Sequence, residues 1–356
     1  MDRSAQNSGT IEVRSAHRFD AARLEAWMES EVEGFSGPLF VEQFRGGQSN
    51  PTYKLATPSR RYVLRRKPPG KLLPGAHAVE REHRVISALA AQGFPVARAY
   101  GLCLDEAVIG TPFYVMEMVE GRIFWEADFP QVQRAERPRY FDAMNRTIAG
   151  LHAIEPQAAG LGDYGRPGNY FERQIGRWSQ QYLTDTDAGR VAAMDRLVEW
   201  LPQNIPPDEE EARIIHGDFR CDNMIFHPTE PEVLAVLDWE LSTLGHPLAD
   251  FAYHLMVWRM PAGVSTGLAG LDLAALNIAT EAEYVAAYCR RTGRTSIPDL
   301  DFYMAFNMFR LAAIVHGIKG RLARGNASSA HAAQMAASLE PLAERAWEQA
   351  VRAGAG

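Results

Sequence analysis

Lysine is nearly missing from this chain: only Lys54, Lys67, Lys71 and Lys319 stand among 37 basic residues, against 44 acidic ones, for a formal net charge of −7. That balance gives no general attraction to a polyanion and argues against nucleic acid as a partner. Cysteine is as scarce. Cys103, Cys221 and Cys289 are odd in number and widely separated, so no disulfide scaffold is expected and a reducing cytoplasm is the expected location. Residues 1–15 are polar and lack the apolar centre of a secretory signal. The most apolar helical stretch, residues 302–316, is short and interrupted by Asn307 and Arg310, so no span of a bilayer is expected either. Internal repeats and low-complexity blocks are absent. What remains is a globular chain of 356 residues, 46% hydrophobic and 23% charged, long enough for two lobes with cores of their own.

The densest chemical signal is His216-Gly217-Asp218-Phe219-Arg220-Cys221-Asp222-Asn223, followed by Val236-Leu237-Asp238-Trp239-Glu240. Ile214-Ile215 reads as a strand delivering Asp218 onto a short loop. Residues 224–226 and 233–237 read as two strands joined by a turn-rich segment, and closing that hairpin sets Asn223 opposite Asp238. Two oxygen ligands meeting there suit Mg²⁺, a hard cation that takes one or two protein carboxylates and completes its shell with water and phosphate oxygens. Asp218, outside that pair, suits a group that orients a hydroxyl and accepts its proton during attack on a γ-phosphoryl group. The step from Asp218 to Asn223 matches the Asp-to-Asn spacing of the protein-kinase catalytic loop, with Asp238 where the metal-binding Asp of the DFG triplet would follow. Arg220 is a candidate for steadying the transferred phosphate, with an ordinary surface arginine as the equal alternative. His216 and Asp250 read as structural supports of the loop, Cys221 reads as a packing residue, and no His or Cys stands at zinc spacing to His216.

These residues resemble the signature of the aminoglycoside phosphotransferase and choline kinase family: His-x-Asp, four residues, Asn, then an Asp in an apolar strand. A closer resemblance is to the phosphotransferase domains fused to, or encoded beside, acyl-CoA dehydrogenases. It is carried by Tyr62-Val63-Leu64-Arg65-Arg66-Lys67-Pro68-Pro69-Gly70, Arg81-Glu82, Gly110-Thr111-Pro112-Phe113-Tyr114-Val115-Met116-Glu117 and Gly245-His246-Pro247-Leu248-Ala249-Asp250, and extends over nearly everything after residue 30. The resemblance implies an α+β, two-lobed, protein-kinase-like fold. After a flexible tail (1–20), a small lobe of antiparallel sheet and one main helix (21–119) would bind nucleotide, and a larger, mostly helical lobe (120–356) would carry the catalytic hairpin. It also implies ATP as co-substrate, Mg²⁺, a small hydroxylated acceptor and a functional link to an acyl-CoA dehydrogenase.

The upstream third fits that order. Residues 39–44 and 52–56 read as strands joined by Arg45-Gly46-Gly47-Gln48-Ser49-Asn50, where Gly46, Gly47, Ser49 and Asn50 are candidates to let backbone N–H groups approach phosphates. A plain hairpin turn reads the same way, since the loop is neither a Walker A motif nor GxGxxG. A strand over 62–66 and a helix over 76–92, ended by Gly93, follow. A kinase small lobe pairs a cation on that strand with an acid on that helix to hold the α- and β-phosphates. Arg65 stands where lysine is commoner, and Lys67 shares its face by strand alternation. Arg65 is favoured, with Glu82 as partner and Glu80 as runner-up. Arginine keeps the charge and adds a bidentate fork. By resemblance, Glu117, Met118 and Val119, at the end of a strand over 113–119, would offer backbone groups to the adenine edge.

Downstream, helical spacing covers 139–152, 171–182, 188–201, 247–260, 281–292, 301–324 and 331–353. The acceptor is harder to read. A polycationic aminoglycoside would favour an acidic pocket and a hydroxyacyl-CoA or hydroxy acid an arginine-bearing one, with Asp301, Arg310, Phe302, Tyr303, Trp258 and Tyr253 as candidate lining. The resemblance inclines towards the hydroxylated acyl or small-alcohol class. Aminoglycoside or choline-like kinases, a nucleotide-binding module without turnover, and a metal-dependent hydrolase are the alternatives.

Overall fold

The computed structural model describes residues 8–45, 50–70, 77–166, 168–207, 211–262, 267–325 and 332–356. Among these, the strands are β1 (Thr10–Ile11), β2 (Phe40–Phe44), β3 (Thr52–Ala56), β4 (Arg61–Arg66), β5 (Ala99–Cys103), β6 (Phe113–Glu117), β7 (Arg213–Ile215), β8 (Met224–Phe226), β9 (Val233–Val236) and β10 (Thr243–Gly245). The longer helices are α1 (Ala21–Glu31), α2 (Val79–Ala91), α3 (Arg137–Ala153), α4 (Tyr170–Thr184), α5 (Ala192–Trp200), α6 (Pro247–Leu255), α7 (Glu281–Thr292), α8 (Leu300–Ala323) and α9 (Leu339–Arg352). The fold is α+β and kinase-like. The chain divides into two compact units, one of residues 1–147, 157–161 and 220–242, the other of 148–156, 162–219 and 243–356. The division crosses the signature loop itself: Asp218 lies in the second unit, Asn223 and Asp238 in the first.

The first unit is built on a six-stranded antiparallel sheet in the order β1-β2-β3-β4-β6-β5. Alternation along the central strands assigns their faces. Tyr53 and Leu55 of β3, Tyr62 and Leu64 of β4, and Phe113 and Val115 of β6 pack with Leu24 and Met28 of α1 into one apolar core. Asp20 caps α1, its Oδ1 accepting from the N–H groups of Ala22 and Arg23 at 3.0 and 3.2 Å. Residues 8–20, which the sequence reads as loose tail, thus include a cap and a strand, Thr10 and Ile11 pairing with Phe44 and Gln43. The opposite face of β4 carries Arg65, turned towards α2, on which Val79, Glu82, Val85, Ile86 and Leu89 are buried.

The hairpin of β8 and β9 also belongs to this unit. Met224 pairs with Val236 and Ile225 with Ala235, and the Leu237 N–H donates to the Asn223 carbonyl at 2.8 Å. That rung sets Asn223 opposite Leu237, one residue before Asp238, rather than opposite Asp238 itself as the sequence suggests. Phe226 sits in an aromatic cluster with Phe124, Phe129 and Tyr140, and its N–H and carbonyl both bond Arg122 at 2.8 Å. Gly121 is required there, because a Cβ would overlap the Phe226 carbonyl oxygen and the Ile225 side chain.

The second unit is mostly helical, with a short antiparallel pair of β7 and β10. α8 is its centre, apolar on nearly all sides, and packs against α4, α6 and α9. Every residue of α6 is buried. Three expected helices of this unit are shorter than their sequence pattern; α6 gives way after Leu255 to a 3-10 turn, Met256–Trp258. α5 starts at Ala192 because Gly189, at φ +75°, ends the preceding turn, and the C-terminal helix is interrupted at Ser338, whose hydroxyl donates to the Met335 carbonyl. No helix among the described residues is long and apolar enough to cross a membrane.

Gly121→Ala forces the hairpin away from the segment it docks on, and is expected to lower unfolding free energy by about 1–3 kcal/mol in urea denaturation. His254, buried on α6, is bonded at both ring nitrogens: Nδ1–H donates to the Phe219 carbonyl at 3.2 Å and Nε2 accepts from the Tyr284 hydroxyl at 2.7 Å. Burial pushes its pKa from 6.5 down to about 4. The unfolded chain therefore takes up a proton below pH 6.5 that the folded chain refuses, so this contribution is complete above 6.5 and is lost as pH falls towards about 4. Denaturation across that window should show a fall of about 3 kcal/mol that His254→Gln flattens.

Candidate active site

The first unit gathers three carboxylates around one guanidinium. Arg65, on the face of β4 turned away from the apolar core, places Nη2 2.6 Å from Asp238 Oδ1 and 3.6 Å from Glu240 Oε2, and Nε 2.8 Å from Glu82 Oε2. Arg65 and Glu82 are nearly inaccessible, with side chains 11% and 2% exposed. Burial works against the arginine's charge, yet Glu82, Asp238 and Glu240 more than offset it, and its pKa is raised. Glu82 is shifted upward by burial, with Arg65 acting in the opposite direction. Asp238 has φ +67°, a left-handed conformation that turns its carboxylate out of the line of β9 just before the Trp239 turn. Three carboxylates around one guanidinium leave the cluster with an excess of negative charge.

Glu82 is further held by neutral donors. Asn50 Nδ2 donates to its Oε1 at 2.8 Å and the Tyr114 hydroxyl to its Oε2 at 3.2 Å. Because the Asn50 amide nitrogen must donate to a carboxylate, Asn50 Oδ1 accepts from His77 Nδ1 at 3.0 Å. Burial, with Arg65 and Lys67 nearby, lowers the His77 pKa. Asn50, read as a phosphate-loop candidate, therefore directs its side chain at the acid of the ion pair. Gly46, Gly47 and Ser49 lie outside the described residues. Lys67, the runner-up cation, pairs with Glu80, the runner-up acid, at 2.9 Å in a more exposed position. The favoured pair, Arg65 with Glu82, exists and is the more buried, and the two runners-up pair with each other beside it.

Glu117 ends β6, its N–H donating to the Arg98 carbonyl at 2.8 Å, and Met118 and Val119 follow as half-buried residues beyond the strand. Arg220 is paired with Asp222 at 2.9 Å. Asn223 closes a single 3-10 turn directly before β8.

The second unit holds Asp218 on a loop whose backbone is tied down residue by residue. Asp250, fully buried on α6, accepts from the N–H of His216 at 2.9 Å and of Gly217 at 2.7 Å. His152 Nε2 lies 3.2 Å from the same carboxylate, and its Nδ1 lies 2.8 Å from the Tyr288 hydroxyl. Burial alone would raise the Asp250 pKa, but the His152 bond and the His216 N–H hold it below its usual range. Gly217 has φ +84°, and the Asp218 N–H donates to His216 Nδ1 at 3.1 Å. Arg310, from α8, donates to the Gly217 carbonyl at 2.9 Å. The Tyr253 hydroxyl donates to Asp218 Oδ1 at 2.6 Å. The structural reading of His216 and Asp250 agrees with this frame.

Sequence reasoning had no signal for His152 or Tyr288, which are far from the loop along the chain. Tyr114 was read only as strand core, although it sits on β6 directly opposite Arg65 in the register. Glu240 had one available cue, its position two residues past Asp238.

Comparison with known proteins identifies the family. A relative 44% identical over 98% of this chain is the chicken (Gallus gallus) acyl-CoA dehydrogenase family member 11, of whose length the match covers 46%, so the chain spans about half of that protein. A solved structure of a candidate aminoglycoside phosphotransferase from Ralstonia eutropha is 54% identical, covers 94% of this chain and 99% of its own, and superposes with a TM-score of 0.87. A thermostable mutant of the aminoglycoside phosphotransferase APH(4)-Ia, in ternary complex with ADP and hygromycin B, shares the fold at 16% identity, with 93% and 98% of the two chains covered and a TM-score of 0.59. The family model described as the phosphotransferase enzyme family matches residues 41–306, the span that includes Arg65, Glu82, Asp218, Asn223 and Asp238, and the chain belongs to that family.

Proposed function

We propose that this protein is an ATP- and Mg²⁺-dependent O-phosphotransferase that moves the γ-phosphoryl group to a hydroxyl of a small molecule, a hydroxyacyl-CoA or hydroxy acid in preference to an aminoglycoside or choline-like alcohol. The observation that carries the reading is Arg65 held between Glu82 and Asp238. An arginine buried with that geometry is prepared to clamp phosphate oxygens with its fork. The ADP in the APH(4)-Ia complex supports a nucleotide in this role. The name of the chicken relative supports the acyl class of acceptor.

The donor set fits a divalent cation. Asp238 and Glu240 would supply carboxylate oxygens and Asn223 an amide oxygen, and the surplus of negative charge around Arg65 favours a hard cation. Asp238 and Asn223 would hold the ion. Held there, Mg²⁺ would supply charge neutralisation to the phosphates. Arg65, fixed by Glu82, would bind the α- and β-phosphates. Gly46, Gly47, Ser49 and Asn50 would form the loop near them, and Glu117, Met118 and Val119 the edge against adenine. Asp218 would orient the acceptor. As the acceptor oxygen bonds the γ-phosphorus and the bond to the β,γ-bridging oxygen breaks, the hydroxyl proton passes to Asp218 and ADP leaves. Arg220 would steady the transferred group, exchanging Asp222 for phosphate.

A mass-spectrometric search for phosphate gain across hydroxyacyl-CoAs, hydroxy acids, choline-like alcohols and aminoglycosides tests the class of acceptor. Phosphorylation confined to aminoglycosides would reverse the preference for an acyl acceptor. With the acceptor found there, Asp218→Asn is expected to lower turnover by about 10²- to 10⁴-fold while leaving nucleotide affinity within about twofold, and unchanged turnover would refute the role. Asp238→Ala should abolish the Mg²⁺ dependence of ATP binding in calorimetry. Equal Mg-ATP affinity in that variant would remove the metal assignment.

A further inference from the structure

Tyr253 and Arg310 have no place in the chemistry above, yet both are more than nine-tenths buried and both reach the Asp218 loop: Tyr253 is 8% exposed and Arg310 is 7%. Tyr253, on α6, donates its hydroxyl to Asp218 Oδ1 at 2.6 Å, a short, charge-assisted bond when the carboxylate is ionised. Arg310, on α8, lies with its guanidinium carbon 5.3 Å from the centre of the Tyr253 ring and donates to the Gly217 carbonyl at 2.9 Å. A cation on the ring face draws electron density from the phenol and makes its hydroxyl a stronger donor. Two helices thus converge on the carboxyl group through one aromatic ring.

We infer that Tyr253, backed by Arg310, is a positioning residue of the phosphoryl transfer, an inference that rests on the reading of Asp218 as the group that takes the acceptor's proton. The hydrogen bond fixes Oδ1 and with it the rotation of the carboxylate about its Cβ–Cγ bond. Tyr253 keeps its own proton throughout; the acceptor's proton goes to Asp218. That placement matters in phosphoryl transfer, because its loose transition state asks for little proton abstraction and for accurate placement of the attacking oxygen. The Arg310 bond to Gly217 serves the same end from the backbone side, so side chain and main chain of the loop are referred to the same two helices.

The test reads the bond directly and then its effect. In protein carrying carbon-13 at aspartate Cγ, the resonance missing from Asp218→Asn identifies Asp218. In Tyr253→Phe at neutral pH that resonance should move while the other aspartate signals and the melting temperature hold. Assayed with the panel of acceptors above, Tyr253→Phe should lower kcat about ten- to a hundredfold with KM for ATP kept within about twofold. A resonance indifferent to the phenol, or a kcat equal to that of the unaltered protein, overturns the inference. Should Tyr253→Phe lower the melting temperature, Tyr253→His, which retains a ring and an N–H donor, is expected to recover part of the turnover, and no recovery counts against a positioning role. An inactive Asp218→Asn beside a fully active Tyr253→Phe sinks the tyrosine's part alone, whereas an active Asp218→Asn sinks the proton-acceptor reading itself.

Discussion

The guanidinium of Arg65 is the constraint on which the first unit is organised. A buried cation is tolerated only when its desolvation is offset by close opposite charge and hydrogen bonds. Here the offset comes from two separate stretches of chain, α2 supplying Glu82 and the segment after β9 supplying Asp238 and Glu240, to the arginine of β4. Asn50 and Tyr114 then complete the bonding of Glu82. Because these carboxylates come from different elements, the sheet, the helix and the hairpin are tied together through one residue.

The second unit applies a different solution to a loop. The signature residues His216 to Phe219 have no regular secondary structure to satisfy their main chain, and their polar groups are partnered instead by side chains from three helices: Asp250 and His254 of α6, Arg310 of α8, and, through Asp250, His152 of α3. A loop pinned at successive N–H and C=O groups cannot relax away from the conformation that Gly217 permits. Asp218 is the residue that this frame presents, and the phenol of Tyr253 governs its carboxylate.

Much of the architecture was legible because its signals are periodic. The strand at 52–56 and the helix at 281–292 follow alternation or 3.6-residue spacing and stand at their expected bounds, the latter with the capping box of Thr280 and Glu283. β5 was not legible: Ala99, Tyr100, Gly101, Leu102 and Cys103 alternate poorly, and the strand exists by pairing with β6 across an irregular register. α1 carried a cue that went unused, Asp20 as cap ahead of Leu24 and Met28 on one face. The break at Ser338 had none that outweighed the helix-favouring alanines around it.

Taken alone, the sequence singled out Asp218, Asn223 and Asp238 by spacing as the candidates for the chemistry, and determined which face of β4 holds Arg65 and Lys67 rather than Tyr62 and Leu64, because strand alternation is a local property of the backbone. It could not say that Arg65, rather than Lys67, meets Asp238 across 173 residues of chain, nor that Tyr253 reaches Asp218 across 35. Those pairings were decided by tertiary structure. Spacing repeats within one element are written in neighbouring residues, whereas the partner of a buried charge is whichever group the packing of distant elements brings within hydrogen-bond reach.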